Sequence, residues 1–350
     1  MRRASIFKSL NDTLFWSALA LSALGLSWLV VPKVVDYVHA ESADPERVLS
    51  FTGIYEPSAV QQLASGQLLV LEDEVSRALN LLDVSGVVLT ENAIVDQQLS
   101  AQLKEDFDDL EGITMGRDRV VYATTSYSRT GKGKRRPNRE KLLRLTLSND
   151  GKINSTEVYP ELISDLEKSS IFQRLSQQSN DKAVKLKDIN IEGLSFDRDQ
   201  QRLLFGLKKP LLNELSIIIA IENPDQVFNG TAVPSLGSEP FLLDLSGGGI
   251  RSLHYDDRLK AYLIANEVDF GGGPKQSQIW YWKGGRNDQP LALALPHIAA
   301  MENIEAITSV ATEGVSRILL LSDDGSRRQK RPAQYTFVDY EEIESQLKLE

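Results

Sequence analysis

The 350-residue chain contains no cysteine. That absence excludes a disulfide framework, a thiolate metal site and a lipid-modified cysteine anchor. Histidine is almost as scarce. His39 falls in the N-terminal leader, which leaves His254 and His297 for any imidazole chemistry. No GxxxxGK(S/T) or GxGxxG motif sits between a strand and a helix, so Gly247-Gly248-Gly249 and Gly271-Gly272-Gly273 read as turn glycines. There is no GxSxG elbow, and pattern alone assembles no Ser-His-Asp set. His254 falls in an expected inner strand and reads as a satisfied core histidine. Basic residues are outnumbered, 39 against 49 acidic, for a net charge of -10. An acidic chain argues against nucleic acid as a partner. Beyond residue 41 nothing is low-complexity, so a packed core is expected.

The N-terminus stands apart from the fold. Arg2, Arg3 and Lys8 form a positive start, and Thr13 to Pro32 then carries no charge. A run of about 20 apolar residues suits either an uncleaved membrane anchor or a secretory signal. Val38-His39-Ala40 offers the small residues for cleavage after Ala40. Either way residues 41–350 are expected outside the cytoplasm, because the positive flank precedes the span. The protein is then membrane-anchored through an N-terminal hydrophobic helix, or periplasmic or secreted.

What the chain has in abundance is a repeat. Asn190-Ile191-Glu192-Gly193-Leu194-Ser195-Phe196 is followed by a turn and by Arg202–Leu207. Asp109-Leu110-Glu111-Gly112 precedes Val120–Thr124, and Asn303-Ile304-Glu305-Ala306 precedes Ile318–Leu321. Weaker copies begin at Glu56 and Gly249. Units of roughly 50 residues built from short strands predict an all-β chain folded as a β-propeller. Starts near 56, 109, 190, 249 and 303 predict five blades, or six if Val227–Leu245 hides one. The second unit reads as Ile113–Met115, Arg119–Thr125, Lys141–Leu147 and Ile153–Tyr159, with Asn149-Asp150-Gly151 as a turn. The last unit lacks an outer strand. Residues 47–54 supply it, closing the ring and removing an exposed edge. Leu162, Ile163, Leu166, Ile171, Phe172 and Leu175 recur at helical intervals, so residues 160–189 read as a small helical insertion. Residues 41–350 form one domain.

Strands in a blade alternate in direction. The long loops Ser126–Glu140, 160–189, Phe270–Lys275 and Asp323–Pro332 therefore share the face on which the inner strands begin. Function concentrates in loops on a rigid scaffold, so the site is expected there. The strand starts place Glu56, Glu111, Glu192 and Glu305 at the axial mouth of that face, with Arg251 at the fifth position. Asp109, Asn190 and Asn303 precede three of these carboxylates by two residues. In extended chain that spacing puts both on one side. Converging carboxylates need a cation, basic neighbours or retained protons. Two readings follow. In one, calcium or another divalent cation is held by Glu56, Glu111, Glu192 and Glu305, with Asp109, Asn190 and Asn303 assisting. In the other, the glutamates form a structural ring, each accepting backbone N–H groups or pairing with Arg251, Lys208 or Arg139. Arg136, Arg139, Lys208 and Arg251 are the candidates for holding an anionic ligand, if the basic loops are not simply solvated.

Asp109–Thr114, Arg136-Pro137-Asn138-Arg139, Asn190–Phe196, Gly206–Leu212 and Gly249–Leu253 together resemble a bacterial family of unknown function. That family is related to the phytase-like, or esterase-like, β-propeller proteins. The resemblance covers roughly residues 50 to 340 and departs at Ala306, where the other strong copies have Gly112 and Gly193. It implies an exported propeller. Two functions are expected from residues and resemblance together. One is a non-catalytic surface for an envelope protein or an anionic small molecule. The other is a metal-assisted phosphoesterase acting on a phosphorylated ligand.

Overall fold

Each inner strand opens on the same short pattern: a polar residue (Gly249 in one case), an apolar one, a side chain that breaks register, then a small residue. A computed structural model describes residues 47–73, 77–103, 106–148, 151–178, 184–269 and 275–348. The expected leader, the glycines 271–273 and the turn residues 149 and 150 lie outside the described residues. After a short strand β1 (Val48–Ser50), the first sheet is β2 (Pro57–Gln62), β3 (Leu68–Glu72), β4 (Leu79–Ser85) and β5 (Val88–Thr90), followed by helix α1 (Ala93–Ser100). The second is β6 (Leu110–Met115), β7 (Val120–Thr125), β8 (Leu142–Leu147) and β9 (Ile153–Tyr159). Helices α2 (Leu162–Lys168) and α3 (Ser170–Gln178) then fill the expected insertion. Strands β10 (Asn190–Asp197), β11 (Arg202–Lys209) and β12 (Ser216–Ile221) are separated by helix α4 (Pro224–Phe228) from β13 (Phe241–Leu243). The fourth sheet is β14 (Ile250–Asp256), β15 (Ala261–Val268), β16 (Gln276–Trp282) and β17 (Leu291–Leu293). The last is β18 (Ile304–Thr312), β19 (Val315–Ser322) and β20 (Gln334–Asp339), and α5 (Tyr340–Leu347) ends the chain.

These make five four-stranded antiparallel sheets among the described residues, the fifth completed by β1 against β20. Leu49 faces Tyr335 in that pairing, which joins the two ends of the fold. The inner strands touch in a cycle, β2 to β6 to β10 to β14 to β18 and back to β2. Five apolar clusters follow the same cycle, each between neighbouring sheets. One joins Leu71 and Leu81 to Ile113 and Leu143, and another joins Ile307 and Leu320 to Ala265 and Ile279. Val227–Leu245 hides no further sheet: it holds the end of α4 and β13. The expectation that every long loop lies on one face needs correcting. The connection of β12 to β13, with α4, lies on the opposite face, where the inner strands end.

Crowding at the axis explains the small residue. A Cβ on Gly112 would sit 2.7 Å from Leu194 Cβ, and one on Gly193 would sit 2.9 Å from Ile250 Cγ2. Ala59, Ser252 and Ala306 occupy the matching positions in the other sheets. Further along, side chains bind the ring around its circumference. Met115 N donates to Gln61 Oε1 at 3.2 Å, Phe196 N to Thr114 Oγ1 at 3.0 Å, and Tyr255 N to Ser195 Oγ at 3.2 Å. Ser309 N donates to His254 Nε2 at 3.0 Å. Gln62 closes the circle by accepting from Ala311 N at 2.8 Å. His254 is thus hydrogen-bonded, as expected from its place in a strand, although it is half-buried and not enclosed in the core. Thr114→Val leaves the Phe196 N–H without its acceptor and should cost about 1–3 kcal/mol. Thr114→Ser keeps the acceptor and should cost less. Denaturant unfolding of both variants checks the ring.

Candidate functional site

A β-bulge stands near the start of every inner strand. Pairing skips a residue between Pro57 and Ala59, Leu110 and Gly112, Ile191 and Gly193, Ile250 and Ser252, and Ile304 and Ala306. The skipped residues are Ser58, Glu111, Glu192, Arg251 and Glu305. An extra residue bends a strand and re-aims its side chain, so these five form the ring at the mouth. The expected place of Glu56 is therefore corrected. Its counterpart in the ring is Ser58, whose hydroxyl donates to Leu110 O at 2.5 Å. Glu56 itself matches Asp109, Asn190 and Asn303, two residues earlier. At that level Asp109 and Asn303 adopt positive φ, 69° and 55°, which short polar side chains tolerate better than most.

The structure brings the expected residues together. Arg251 is buried among three carboxylates: Nη1 meets Glu192 Oε2 at 3.1 Å and also Glu305, while Nη2 meets Glu267 Oε2 at 2.6 Å. Lys208 pairs with Glu192. Asn190 and Asn303 donate their amides to the glutamates two residues on, at 3.3 and 3.0 Å. Arg139 holds Asp108 through two nitrogens, at 2.8 and 3.2 Å, and Asp109 through a third, at 2.8 Å. Ser126 and Ser128 also donate to Asp109. Arg136, half exposed, pairs with Asp108 at 2.8 Å. Arg251 and Lys208 thus pair with Glu192 and Glu305, as one reading of the glutamates expects, whereas Arg139 pairs with Asp108 and Asp109 and no cation pairs with Glu111 among the described residues. Among the described residues no group of three or more acidic or histidine side chains is placed to hold a metal ion.

Sequence reasoning missed Asp73 and Asp108. Asp73 follows Glu72 by one residue, and its N–H donates to Glu56 O at 3.3 Å. Ser126 N and Asp323 N bond Asp109 O and Asn303 O in the same way, at 2.9 and 2.8 Å. The signal was present: Asp73 and Asp323 each stand one residue beyond a second strand.

Cations do not neutralise this mouth. Burial, then the charge of Asp109, pushes the Asp73 carboxyl up to about 7. Burial, then Glu56, pushes Asp323 up to about 7. Burial raises Glu305 to about 8, against the pull of Arg251. Glu111 has no hydrogen-bond partner among the described residues. Burial, with Glu192, Glu305 and Asp109 behind it, holds its carboxyl well above the ordinary range.

Folded Asp73, Asp323 and Glu305 therefore bind protons that the unfolded chain has released. Their contribution to stability is full below about pH 4 and is lost as pH rises through 7 to 8. The melting temperature should fall between pH 6 and pH 8.5, and Asp323→Asn should flatten part of that slope. Replacing Arg251 by Met should cost about 3–5 kcal/mol at pH 8, because three carboxylates lose their partner. The cost should shrink at pH 5, where Glu305 is protonated. Unfolding titrations across that range test both statements.

The fold resembles several solved structures. An alpha-L-arabinofuranosidase from Clostridium thermocellum aligns with 10% identity over 78% of this chain and 83% of that one, at a TM-score of 0.45. The PQQ-bound aldose sugar dehydrogenase of Streptomyces coelicolor aligns with 14% identity over 83% and 97%, at 0.42. The Malassezia sympodialis allergen Mala s 1 aligns with 10% identity over 81% and 78%, at 0.37. No curated protein matches the sequence. The kinship with phytase-like proteins expected from the motifs is not among these likenesses. One family model does match, over residues 92–339, and the chain belongs to that family, DUF3616, described as a protein of unknown function.

Proposed function

We propose that the protein is a non-catalytic binding propeller whose loop-rich mouth receives a positively charged, ammonium-bearing ligand. One observation carries this reading. Asn190 Oδ1 and Asn303 Oδ1 are buried and meet no donor among the described residues, while their amide nitrogens are committed to Glu192 and Glu305. Buried oxygens without donors, beside carboxyls that hold protons near neutral pH, make an oxygen-lined recess short of positive charge. An arriving ammonium group would displace those protons and donate to the same oxygens. Glu111, Asp73 and Asp323 are the residues expected to meet it.

The basic side chains support an anionic ligand less well. Arg251, Lys208, Arg139 and Arg136 each already face a carboxylate, so a phosphate would have to break those pairs. A metal-assisted phosphoesterase would use the same carboxylates and would leave Arg136, the most exposed of the four, to meet the phosphate. Thermal melting at pH 7 separates the readings. Spermidine should raise the melting temperature, by about 2.7 kcal/mol in stability at a hundredfold excess over Kd. The shift should vanish in Glu111→Gln combined with Asp323→Asn, and binding should strengthen from pH 6 to pH 8 as protons leave. Stabilisation by inorganic phosphate but not by cations, or cation-dependent turnover of p-nitrophenyl phosphate, would overturn the binding-only reading.

A further inference from the structure

The opposite end of the axis, where the inner strands finish, contains a pocket of about 320 Å³. All five inner strands contribute to it, through Gln61, Thr114, Ser195, His254 and Ser309 among others. That volume suits a small molecule. We infer that this pocket is a second binding site, for an uncharged small molecule bearing several hydroxyl groups. The inference does not depend on the cation reading of the other mouth.

The circumferential ring of hydrogen bonds leaves donors facing the pocket. Thr114 and Ser195 each accept a backbone N–H from the next sheet, which occupies one lone pair. A hydroxyl retains its hydrogen and a second lone pair after such a bond. Among the described residues no acceptor bonds either hydroxyl hydrogen, although Ser195 is only 1% exposed and Thr114 8%. A buried donor without an acceptor is costly, and a ligand hydroxyl would satisfy it. The amide of Gln61 donates once, to Gln62 O at 3.0 Å, and keeps its other hydrogen.

The arginines around the pocket are already paired. Arg198 pairs with Asp257 at 2.9 Å and Arg258 with Glu344 at 2.7 Å. Asp256 is fully buried and accepts from Leu259 N, Ser309 Oγ and Tyr340 Oη. Burial holds the His254 imidazole down at about 4, against the pull of Asp256 and Asp257. It is therefore neutral at physiological pH. With both arginines paired and the Asp256 carboxylate enclosed by three neutral donors, an anion gains little here, whereas a hydroxyl both donates and accepts. Phe196 and Tyr255 supply apolar surface for the C–H faces of a cyclic polyol.

The test uses the full chain and myo-inositol as probe, followed by saturation-transfer NMR and titration calorimetry. Saturable binding is expected, unchanged by calcium. Ser316 is exposed at the edge of the pocket, so Ser316→Trp should obstruct it without entering a core and weaken binding about tenfold or more. Melting curves establish that this variant folds. Should it not, Met115→Phe narrows the pocket from another strand and should have the same effect. Absence of saturable inositol binding, binding that survives an obstructing variant, or saturable binding of inorganic phosphate alone would each overturn the inference.

Discussion

Five bulges govern the charged end of this molecule. A regular strand would send alternate side chains into the two apolar interfaces that flank each sheet, where an ionised group is very costly. The extra residue near each strand start releases one side chain from that alternation and turns it to the axis. Glu111, Glu192, Arg251 and Glu305 can be polar there because the backbone places them outside both apolar interfaces. The neighbours obey the same geometry. The preceding residue, such as Leu110 or Ile250, is buried between sheets, and the following one is small because the next inner strand lies against it.

Electrostatics then follows from which residue fills each bulge. Three are glutamates, one is serine and one is arginine. A fourth glutamate in place of Arg251 would leave the ring with no cation. As it stands, the guanidinium reaches Glu192 and Glu305 on either side and Glu267 behind. Burial works against that charge, yet three carboxylates hold its proton firmly. Arg139 anchors the neighbouring sector, where a bidentate pair with Asp108 fixes the Arg-Pro-Asn-Arg loop over the mouth. Glu111, between these sectors, has no such partner among the described residues, and burial holds its carboxyl well above the ordinary range.

Much of this was legible in the sequence, because a repeat writes the same packing problem several times. The motif Asp109-Leu110-Glu111-Gly112 and its copies located all the inner strands and the face that carries the charged mouth. Strand pairing was less legible. Nothing in Glu56-Pro57-Ser58-Ala59-Val60 says whether the glutamate or the serine stands in the bulge. Only the partner strand decides, through Glu72 facing Pro57 and Leu71 facing Ala59. Asp73 escaped notice for a related reason. It lies one residue beyond a strand, and its role comes from closeness to Glu56 and Asp109, across a distance in sequence that no local pattern spans. The ring of Gln61, Thr114, Ser195 and His254 was hidden by its variety, since four unlike side chains answer one requirement, an acceptor for the next sheet's N–H.

That requirement distinguishes the two ends of the axis. At the entry end, the bulged residues face one another across the mouth and must settle their charges among themselves, which leaves acids in excess. At the exit end, the matching residues face along the circumference and are chosen for hydrogen bonding, which leaves neutral donors. Both ends are built by one strand, only three residues apart from Glu111 to Thr114 and from Glu192 to Ser195. A substitution at the bulge therefore alters charge at the mouth and leaves the ring's acceptor in place, provided the bulge itself persists. Separation of the two chemistries along a single short strand lets one scaffold present an ionic surface and an uncharged recess on opposite faces.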